Sequence, residues 1–187
     1  GGYSGMAFGD IDEYFWSATA VPEYYHYEKM ISGLYLGPLC LEVLKTAARE
    51  GLFSSGFSES IEAAEKFSTA DLSAFLKNRK LLIPGVCSPD RADTVTAYAI
   101  LQAVLERSAF LAAAGIAGIV IKTGKGNNPQ KPLCICADGT TFWKLTGFKE
   151  LVENYLDEYF EKNGLYYHFI GIDNAPVIGA AVAGLTN

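Results

Sequence analysis

Glu28 stands just ahead of two glycines, Gly33 and Gly37, and of an apolar run at residues 39–44. A carboxylate in such a position can accept hydrogen bonds from neutral hydroxyl groups, and a charged acceptor makes the stronger kind of bond. The glycines leave room for a ligand or a neighbouring backbone to approach closely. The pattern therefore indicates a carboxylate presented at the mouth of a tightly packed helix. The spacing alone favours the alternative, a surface glutamate on an ordinary amphipathic helix.

A second segment with chemical potential is Asp138-Gly139-Thr140, which follows a predicted strand at residues 133–137. A glycine at the end of a strand lets a nucleotide lie against the backbone, and the amides that follow can donate hydrogen bonds to it. Taken alone, Asp-Gly-Thr is a common turn sequence. Both interpretations stay open at this point.

Alanine and glycine dominate residues 112–118. Small side chains let another backbone approach closely, as they do at a domain hinge or beside a cofactor. The alternative is plain tight packing of one helix against its neighbours.

Helices must position these segments in the first half of the chain. One helix is predicted over residues 25–50, ending at Gly51. Residues 54–80 favour two short helices, the second with a capping box between Ser68 and Asp71. A turn is predicted at residues 83–85. Ser88 followed by Pro89 then predicts the start of a long helix that reaches Ile121. At helical spacing, Val95, Tyr98, Gln102, Leu105 and Ala109 trace one face of it.

The second half alternates between helix and strand. After a loop at residues 124–132, we expect strands at residues 133–137 and 166–172, an amphipathic helix at residues 147–162 that ends at Asn163-Gly164, and a short helix at residues 180–185. This alternation is typical of helices packed on a sheet, that is, an α/β fold. A further strand is possible near residues 6–8. Two or three strands make a poor sheet with exposed edges, so the chain looks like part of something larger.

Charge and hydropathy exclude several classes of function. The net charge is −6 and the chain contains no Lys/Arg cluster, which argues against nucleic-acid binding. The longest apolar run, residues 109–121, is too short and too rich in Ala and Gly to predict a membrane span. Three acidic residues near the start, Asp10, Asp12 and Glu13, are expected to be solvated.

The four cysteines, Cys40, Cys87, Cys134 and Cys136, lack paired zinc-ligand spacing. Cys134 and Cys136 should face the same side of a strand, where we expect buried free thiols. Free thiols fit a reducing compartment, so we expect a cytoplasmic protein. Because the spacing of zinc ligands is missing, we expect no metal ligated by its side chains.

Four segments, in order, resemble the hexokinase family. They are Glu28-Lys29-Met30-Ile31-Ser32-Gly33-Leu34-Tyr35-Leu36-Gly37, the sequence RSAFLAAAGIAGI at residues 107–119, Asp138-Gly139-Thr140 leading to Lys144-Leu145, and Gly179-Ala180-Ala181-Val182. The resemblance covers most of the chain and is weak from about residue 54 to residue 91.

The resemblance implies a fold, ligands and site residues. The fold would be part of a ribonuclease H-like (actin-like ATPase) domain, the C-terminal portion of a hexokinase large lobe spanning residues 1–187. By this resemblance, Glu28 binds sugar hydroxyls, while Gly33, Leu34, Gly139 and Thr140 border the nucleotide. The implied ligands are ATP, Mg²⁺ held mainly by the phosphates, and glucose or a related hexose. The helix that includes residues 112–118 would connect two lobes.

The chain also departs from the family pattern. Where hexokinases run Asp-Gly-Ser-Gly-x-Gly-Ala-Ala, this chain has Asp173-Asn174-Ala175-Pro176-Val177-Ile178-Gly179-Ala180-Ala181, and we expect Pro176 to stiffen a turn. Pro38 replaces a commonly acidic residue. The family's aspartate base and phosphate-binding loops come from sequence that precedes the first motif, so no catalytic residue is assigned here.

The sequence is compatible with three functions. The first is the C-terminal part of an ATP-dependent hexokinase that is inactive without its N-terminal half. The second is a non-catalytic sugar-sensing or regulatory relative, favoured by the altered loop at residues 174–178. The third is an actin-like sugar kinase with a different acceptor.

Overall fold

The chain folds into two compact units, Gly1–Ala109 and Phe110–Asn187. A computed structural model describes residues 3, 5–80, 83, 86 and 89–186. The boundary between the units falls inside one long helix. The expectation of a single domain over residues 1–187 stays a prediction.

Within its described residues, the first unit contains helices joined by loops and no strand. Its elements are α1 (Asp10–Ser17), α2 (His26–Ile31), α3 (Gly33–Arg49), α4 (Ser55–Glu62), α5 (Thr69–Asn78) and the N-terminal part of α6 (Arg91–Thr123). α3 packs against the first two helices and against α4 and α5. The fully buried side chains at its centre include Leu36, Leu39, Leu44, Phe57, Ile61, Leu72, Phe75, Leu101 and Leu105.

The single helix predicted over residues 25–50 is wrong, because Ser32 divides it into α2 and α3. Ser32 is extended (φ −84°, ψ 146°), and its carbonyl accepts hydrogen bonds from the amides of Tyr35 and Leu36. It therefore caps the backbone of α3. The predicted end is confirmed, since Gly51 follows the helix with a positive φ of 76°.

The capping box of α5 is confirmed. The Ser68 hydroxyl accepts from the Asp71 amide at 3.2 Å, and the Asp71 carboxylate accepts from the Ser68 amide at 2.8 Å. Two of the amides that a helix start leaves unpaired are thereby satisfied.

The start and the buried face of α6 differ from the prediction. The Asp90 carboxylate accepts from the Asp93 amide at 2.8 Å and so caps the helix, while Ser88 and the predicted turn residues Pro84 and Gly85 lie outside the described residues. Val95, one of the residues that trace the predicted face, is 64% exposed. The buried stripe instead follows Asp93, Ala97, Leu101, Leu105 and Ala109, one every four residues as helix geometry requires.

The second unit contains a parallel two-stranded sheet. After the C-terminal part of α6 come β1 (Leu133–Cys136), α7 (Thr140–Lys144), α8 (Phe148–Asn163), β2 (Tyr167–Ile170) and α9 (Ala175–Thr186). Leu133 pairs with Tyr167 and Cys136 with Ile170. The predicted α/β alternation is confirmed. The possible strand at residues 6–8 is absent, because none of the described residues forms a ladder with that segment.

In chain order, α8 lies between the two strands and α9 follows β2. α8 buries Phe148, Val152, Leu156 and Phe160 at helical spacing, and Gly164 ends it with φ 62°, as predicted. α9 begins five residues earlier than expected, at Ala175. Pro176 stands in its first turn, where a missing amide costs no helical hydrogen bond, so it belongs to a helix start and not to a stiffened turn.

By length and composition, α6 could cross a membrane. Its most apolar window has a mean hydropathy of 1.8, and a third of that window is buried. One such helix is weak evidence, because core helices of globular proteins pass the same test. The absence of a membrane span stays a prediction, although the helix is longer than the apolar run on which that prediction relied.

The cysteine prediction is wrong for the two strand residues. Cys134 and Cys136 share a face of β1, as expected, but both are exposed, whereas Leu133 and Ile135 on the opposite face are half-buried. Cys40 is fully buried. Its burial raises the pKa of the thiol to about 12, and the positive charge of Arg107 offsets part of the increase.

We expect this difference to be visible in alkylation. In native protein at pH 8, iodoacetamide should modify Cys134 and Cys136 and leave Cys40 unmodified, since only the thiolate reacts and the buried thiol stays protonated. Mass spectrometry of the digested peptides separates these sites from Cys87, which lies outside the described residues. Labelling in urea is the control, and equal native rates for Cys40 and Cys134 would contradict the burial.

Candidate functional site

Glu28 lies in the middle of α2 with its side chain exposed. The two residues that follow it, Lys29 and Met30, are fully buried. Since successive helical residues are about 100° apart, the buried pair faces the core while Glu28 faces solvent. Its placement fits a hydroxyl-binding carboxylate, and that role stays a prediction.

Lys29 anchors α2 to the loop that precedes it. Its ammonium donates to the carbonyl of Val21 at 2.6 Å and to that of Pro22 at 3.4 Å. Burial lowers the pKa of this lysine, because a charged amine is poorly solvated there. The carbonyl bonds partly replace the lost water and tie α2 to that loop.

Gly33 and Leu34 form the first turn of α3, with 74% of Leu34 exposed. The Thr69 hydroxyl, at the start of α5, donates to the Gly33 carbonyl at 2.6 Å and accepts from the Gly37 amide at 3.0 Å. It therefore stands between two groups that a regular helix would pair with each other. Pro38 supplies no amide for the next position, so this turn of α3 is open toward α5.

Gly37 is required by this contact. A Cβ at Gly37 would collide with the backbone atoms of residues 67–69. The sequence predicted a close approach at this glycine, but not that the partner would be a segment of the same chain. The Thr69 hydroxyl was missed, because a Ser-Thr pair before a helix reads only as a cap.

Asp12 was expected to be solvated, and this is wrong. Only 2% of the residue is exposed. Both of its carboxylate oxygens accept from the Arg107 guanidinium at 2.8 Å, and one also accepts from the Gly9 amide at 3.0 Å. The fork geometry of such a pair makes it a strong and directional contact between α1 and α6. The partner lies too far along the chain for sequence spacing to reveal it.

Gly139 and Thr140 lie at the carboxyl ends of the two strands. Gly139 has φ 129°, a conformation open to glycine, and Thr140 begins α7. Both line an open cleft of about 530 Å³ together with residues that follow β2, including Gly171 and Asp173. In open α/β sheets, ligands bind in the crevice outside the carboxyl ends of the strands.

Trp143 forms one wall of this cleft. Its indole donates to the Ala137 carbonyl at 3.0 Å. Gly171 lies against the ring, and a Cβ there would come within 3.2 Å of it. The residues after β2 were not predicted as part of the site. The rule that parallel strands place their carboxyl ends side by side could have identified them.

The loop that departs from the family pattern has a defined conformation. Asn174 adopts a left-handed φ of 58°, and its carbonyl accepts from the amides of Val177 at 3.0 Å and Ile178 at 3.1 Å. The loop thus leads directly into the first turn of α9. Pro176 removes one of the amides that a helix start can offer to an anion.

The predicted residues divide between the two units. Glu28, Gly33 and Leu34 belong to the first, and Gly139 and Thr140 to the second. Among the residues that the structure describes, no group of three or more His, Cys, Asp or Glu side chains could hold a metal ion.

Solved structures show that this α/β arrangement is part of the actin-like ATPase fold, and two of those that share it are hexokinases. A structure described as a crystal structure of hexokinase matches with a TM-score of 0.73, 20% identity, and coverage of 90% of this chain and 38% of that one. The hexokinase of Schistosoma mansoni complexed with glucose matches with a TM-score of 0.63, 19% identity, and coverage of 88% and 38%.

Sequence comparison identifies the family. The profile described as hexokinase matches residues 5–186. Hexokinase-2 of Equus caballus is 33% identical over 137 residues, which is 68% of this chain and 15% of that protein. Hexokinase-2 of Homo sapiens is 34% identical over 128 residues, 63% of this chain and 14% of that protein. The chain belongs to the hexokinase family and spans about 15% of the length of these relatives.

Proposed function

We propose that the full protein transfers the γ-phosphoryl group of Mg·ATP to the 6-hydroxyl of glucose or a related hexose. The main observation behind this proposal concerns Glu28, which lies within the family's Glu-Lys-Met-x-Ser-Gly motif. Its side chain is exposed, while the next two side chains of the helix, Lys29 and Met30, are fully buried. A rigidly held carboxylate on the surface is suited to accept hydrogen bonds from sugar hydroxyls. A relative of the same fold is described as complexed with glucose.

The cleft around Gly139 suits a nucleotide in chemistry and size. Its volume of about 530 Å³ falls in the usual range for small-molecule sites. No side chain at Gly139 obstructs the backbone, and the exposed Trp143 ring offers a flat apolar wall. We assign Gly139 and Thr140 to the nucleotide, and we retain Gly33 and Leu34 as nucleotide-binding candidates on the family resemblance alone.

Magnesium would be held mainly by the nucleotide phosphates. Mg²⁺ keeps several waters and usually binds through one or two carboxylates together with phosphate oxygens, which fits the lack of a ligand cluster among the described residues. The ion would neutralise charge on the transferred group.

The general base of the reaction is proposed to lie in the rest of the full protein. Phosphoryl transfer to an alcohol needs a carboxylate beside the attacking hydroxyl. The buried Asp12 cannot serve, because Arg107 and the Gly9 amide occupy its oxygens. The 187-residue chain alone is therefore expected to be inactive.

A sugar-sensing or regulatory role is the second candidate. It is favoured by the start of α9, where Pro176 removes an amide and the Asn174 carbonyl is occupied by two others. A helix start with fewer free amides is a weaker phosphate site. Such a protein would bind sugar and turn over no ATP.

An assay of the full protein separates the two functions. Coupled detection of ADP with a panel of hexoses tests phosphorylation, and calorimetry tests sugar binding. Sugar-dependent ADP formation supports the kinase and also identifies the acceptor. Sugar binding by a folded protein that forms no product would support the sensor.

Replacing Glu28 with glutamine in the full protein tests the sugar ligand. We expect kcat/KM for the sugar to fall. The corresponding loss of transition-state stabilisation should be about 1.5–3 kcal/mol, the scale of one hydrogen bond to a charged group. The nucleotide KM should remain close to that of the parent.

Glu23→Gln is the matched control for Glu28→Gln, since Glu23 is also exposed and lies in the preceding loop. It should leave sugar use unchanged. An unaltered kcat/KM in Glu28→Gln would remove this carboxylate from the sugar site.

A further inference from the structure

Trp16 and His26 form a stacked pair beside the helix that bears Glu28. The ring centroids are 4.1 Å apart and the planes differ by 8°. Trp16 ends the buried side of α1, and His26 is the first residue of α2. The pair therefore joins the two helices directly, across the loop that connects them.

The same histidine is tied to that loop. Its Nε2 lies 2.7 Å from the Pro22 carbonyl, to which it donates. The Lys29 ammonium approaches the same carbonyl at 3.4 Å and the Val21 carbonyl at 2.6 Å. His26 and Lys29 thus hold α2 from one side, while Glu28 lies about 200° around the helix from His26.

α2 needs such external support. It has six residues, too few to be stable alone in water. It enters from Tyr25, a non-glycine residue with φ 62°, and leaves through the extended Ser32. Neither end passes on the direction of a neighbouring helix, so the contacts of its own side chains set its orientation.

The stack is kept at an energetic cost. Trp16 is 5% exposed, and its indole Nε1 has no hydrogen-bond partner among the described residues. An unpaired buried donor is unfavourable and unusual. The strained φ of Tyr25 is a second cost in the same segment. Both unfavourable features lie in the segments that orient α2.

We propose that Trp16 and His26 are positioning residues for the sugar site: their stack fixes the orientation of α2 and hence of the Glu28 carboxylate. This inference rests on the proposed function of Glu28. The histidine acts through the helix and does not touch the sugar. The loss of its ring should loosen α2 and leave the nucleotide side unaffected.

His26→Ala in the full protein is the first test. We expect sugar affinity, measured by calorimetry, to weaken by about two- to tenfold, the range that corresponds to one lost aromatic pair. The nucleotide KM should change by less than about twofold. His168→Ala is the matched control, because this other histidine is exposed on β2, and it should leave both values unchanged.

A double substitution shows whether the histidine acts through Glu28. In a Glu28→Gln background, His26→Ala should have no further effect on sugar affinity. An equal loss in that background would overturn the proposal. If Glu28→Gln alone has no effect, the proposed function fails. If Glu28→Gln weakens binding and His26→Ala does not, only the positioning role fails.

Trp16 itself reports the stack. The emission of Trp16, obtained as the difference between the protein and its Trp16→Phe variant, should move to longer wavelength in His26→Ala, because loss of the stacked imidazole exposes the buried indole to water. His26→Phe keeps a planar ring on Trp16 and should restore most of the sugar affinity at a native melting temperature. If His26→Phe folds and binds sugar as weakly as His26→Ala, the stack does not position Glu28.

Discussion

Replacing Arg107 with methionine is expected to lower the free energy of unfolding by about 3–5 kcal/mol. Methionine keeps the apolar stem of the side chain, so the loss comes from the charge. The substitution leaves the carboxylate of Asp12, only 2% exposed, without its cation and with one remaining donor, the Gly9 amide. Urea unfolding of the purified chain measures the effect.

Substitutions at the other end of the pair provide the control. Asp12→Asn leaves the cation unpaired, but the Arg107 side chain is 36% exposed and can turn to water, so a smaller loss is expected. Replacing both residues should cost less than Arg107→Met alone, because no buried charge remains. If Arg107→Met unfolds at the same urea concentration as the parent, this pair does not stabilise the fold.

Gly37→Ala is expected to destabilise the first unit by about 2–3 kcal/mol, the range of overpacking in a close-packed interior. The new Cβ would collide with backbone atoms of residues 67–69, which cannot turn away as a flexible side chain would. α3 and α5 would have to separate, and the bonds of the Thr69 hydroxyl to Gly33 and Gly37 would lengthen.

Gly56→Ala is the matched control for this substitution. Gly56 lies in α4, and a Cβ there would meet nothing within 4 Å. Alanine should therefore stabilise the helix by about 0.5–1 kcal/mol. Equal unfolding midpoints for the two alanine variants would show that the contact at Gly37 is looser than described.

Local signals predicted much of this fold. The Ser68–Asp71 capping box, the glycine ends at Gly51 and Gly164 and the apolar face of α8 each depend on residues within a few positions of one another. Their geometry follows from hydrogen bonds and periodicity inside one element. Such features can be inferred from a single sequence.

The features that were missed depend on distant partners. Asp12 was predicted to be solvated because its partner, Arg107, lies on another helix far along the chain. The bonds of Thr69 to Gly33 and Gly37 join α5 to the first turn of α3, and Cys134 and Cys136 lie on the exposed face of β1. Tertiary contacts overrode local preference at each of these places.

The candidate site shows the same division. The motif around Glu28, the turn at Gly139 and the altered loop that begins at Asp173 were apparent from sequence, whereas Gly171 and the Trp16–His26 stack were not. These residues are brought to the site by strand pairing and by helix contacts, which no spacing along the chain expresses.

The parallel pairing of Leu133 with Tyr167 has a kinetic consequence. No ladder bond between β1 and β2 can form until the whole intervening segment has closed, and its entropy must be lost first. α8 can gain its backbone bonds locally, and its Phe160 ring then offers a surface on which Tyr167 of β2 packs. The sheet should therefore appear late along the folding pathway, after α8.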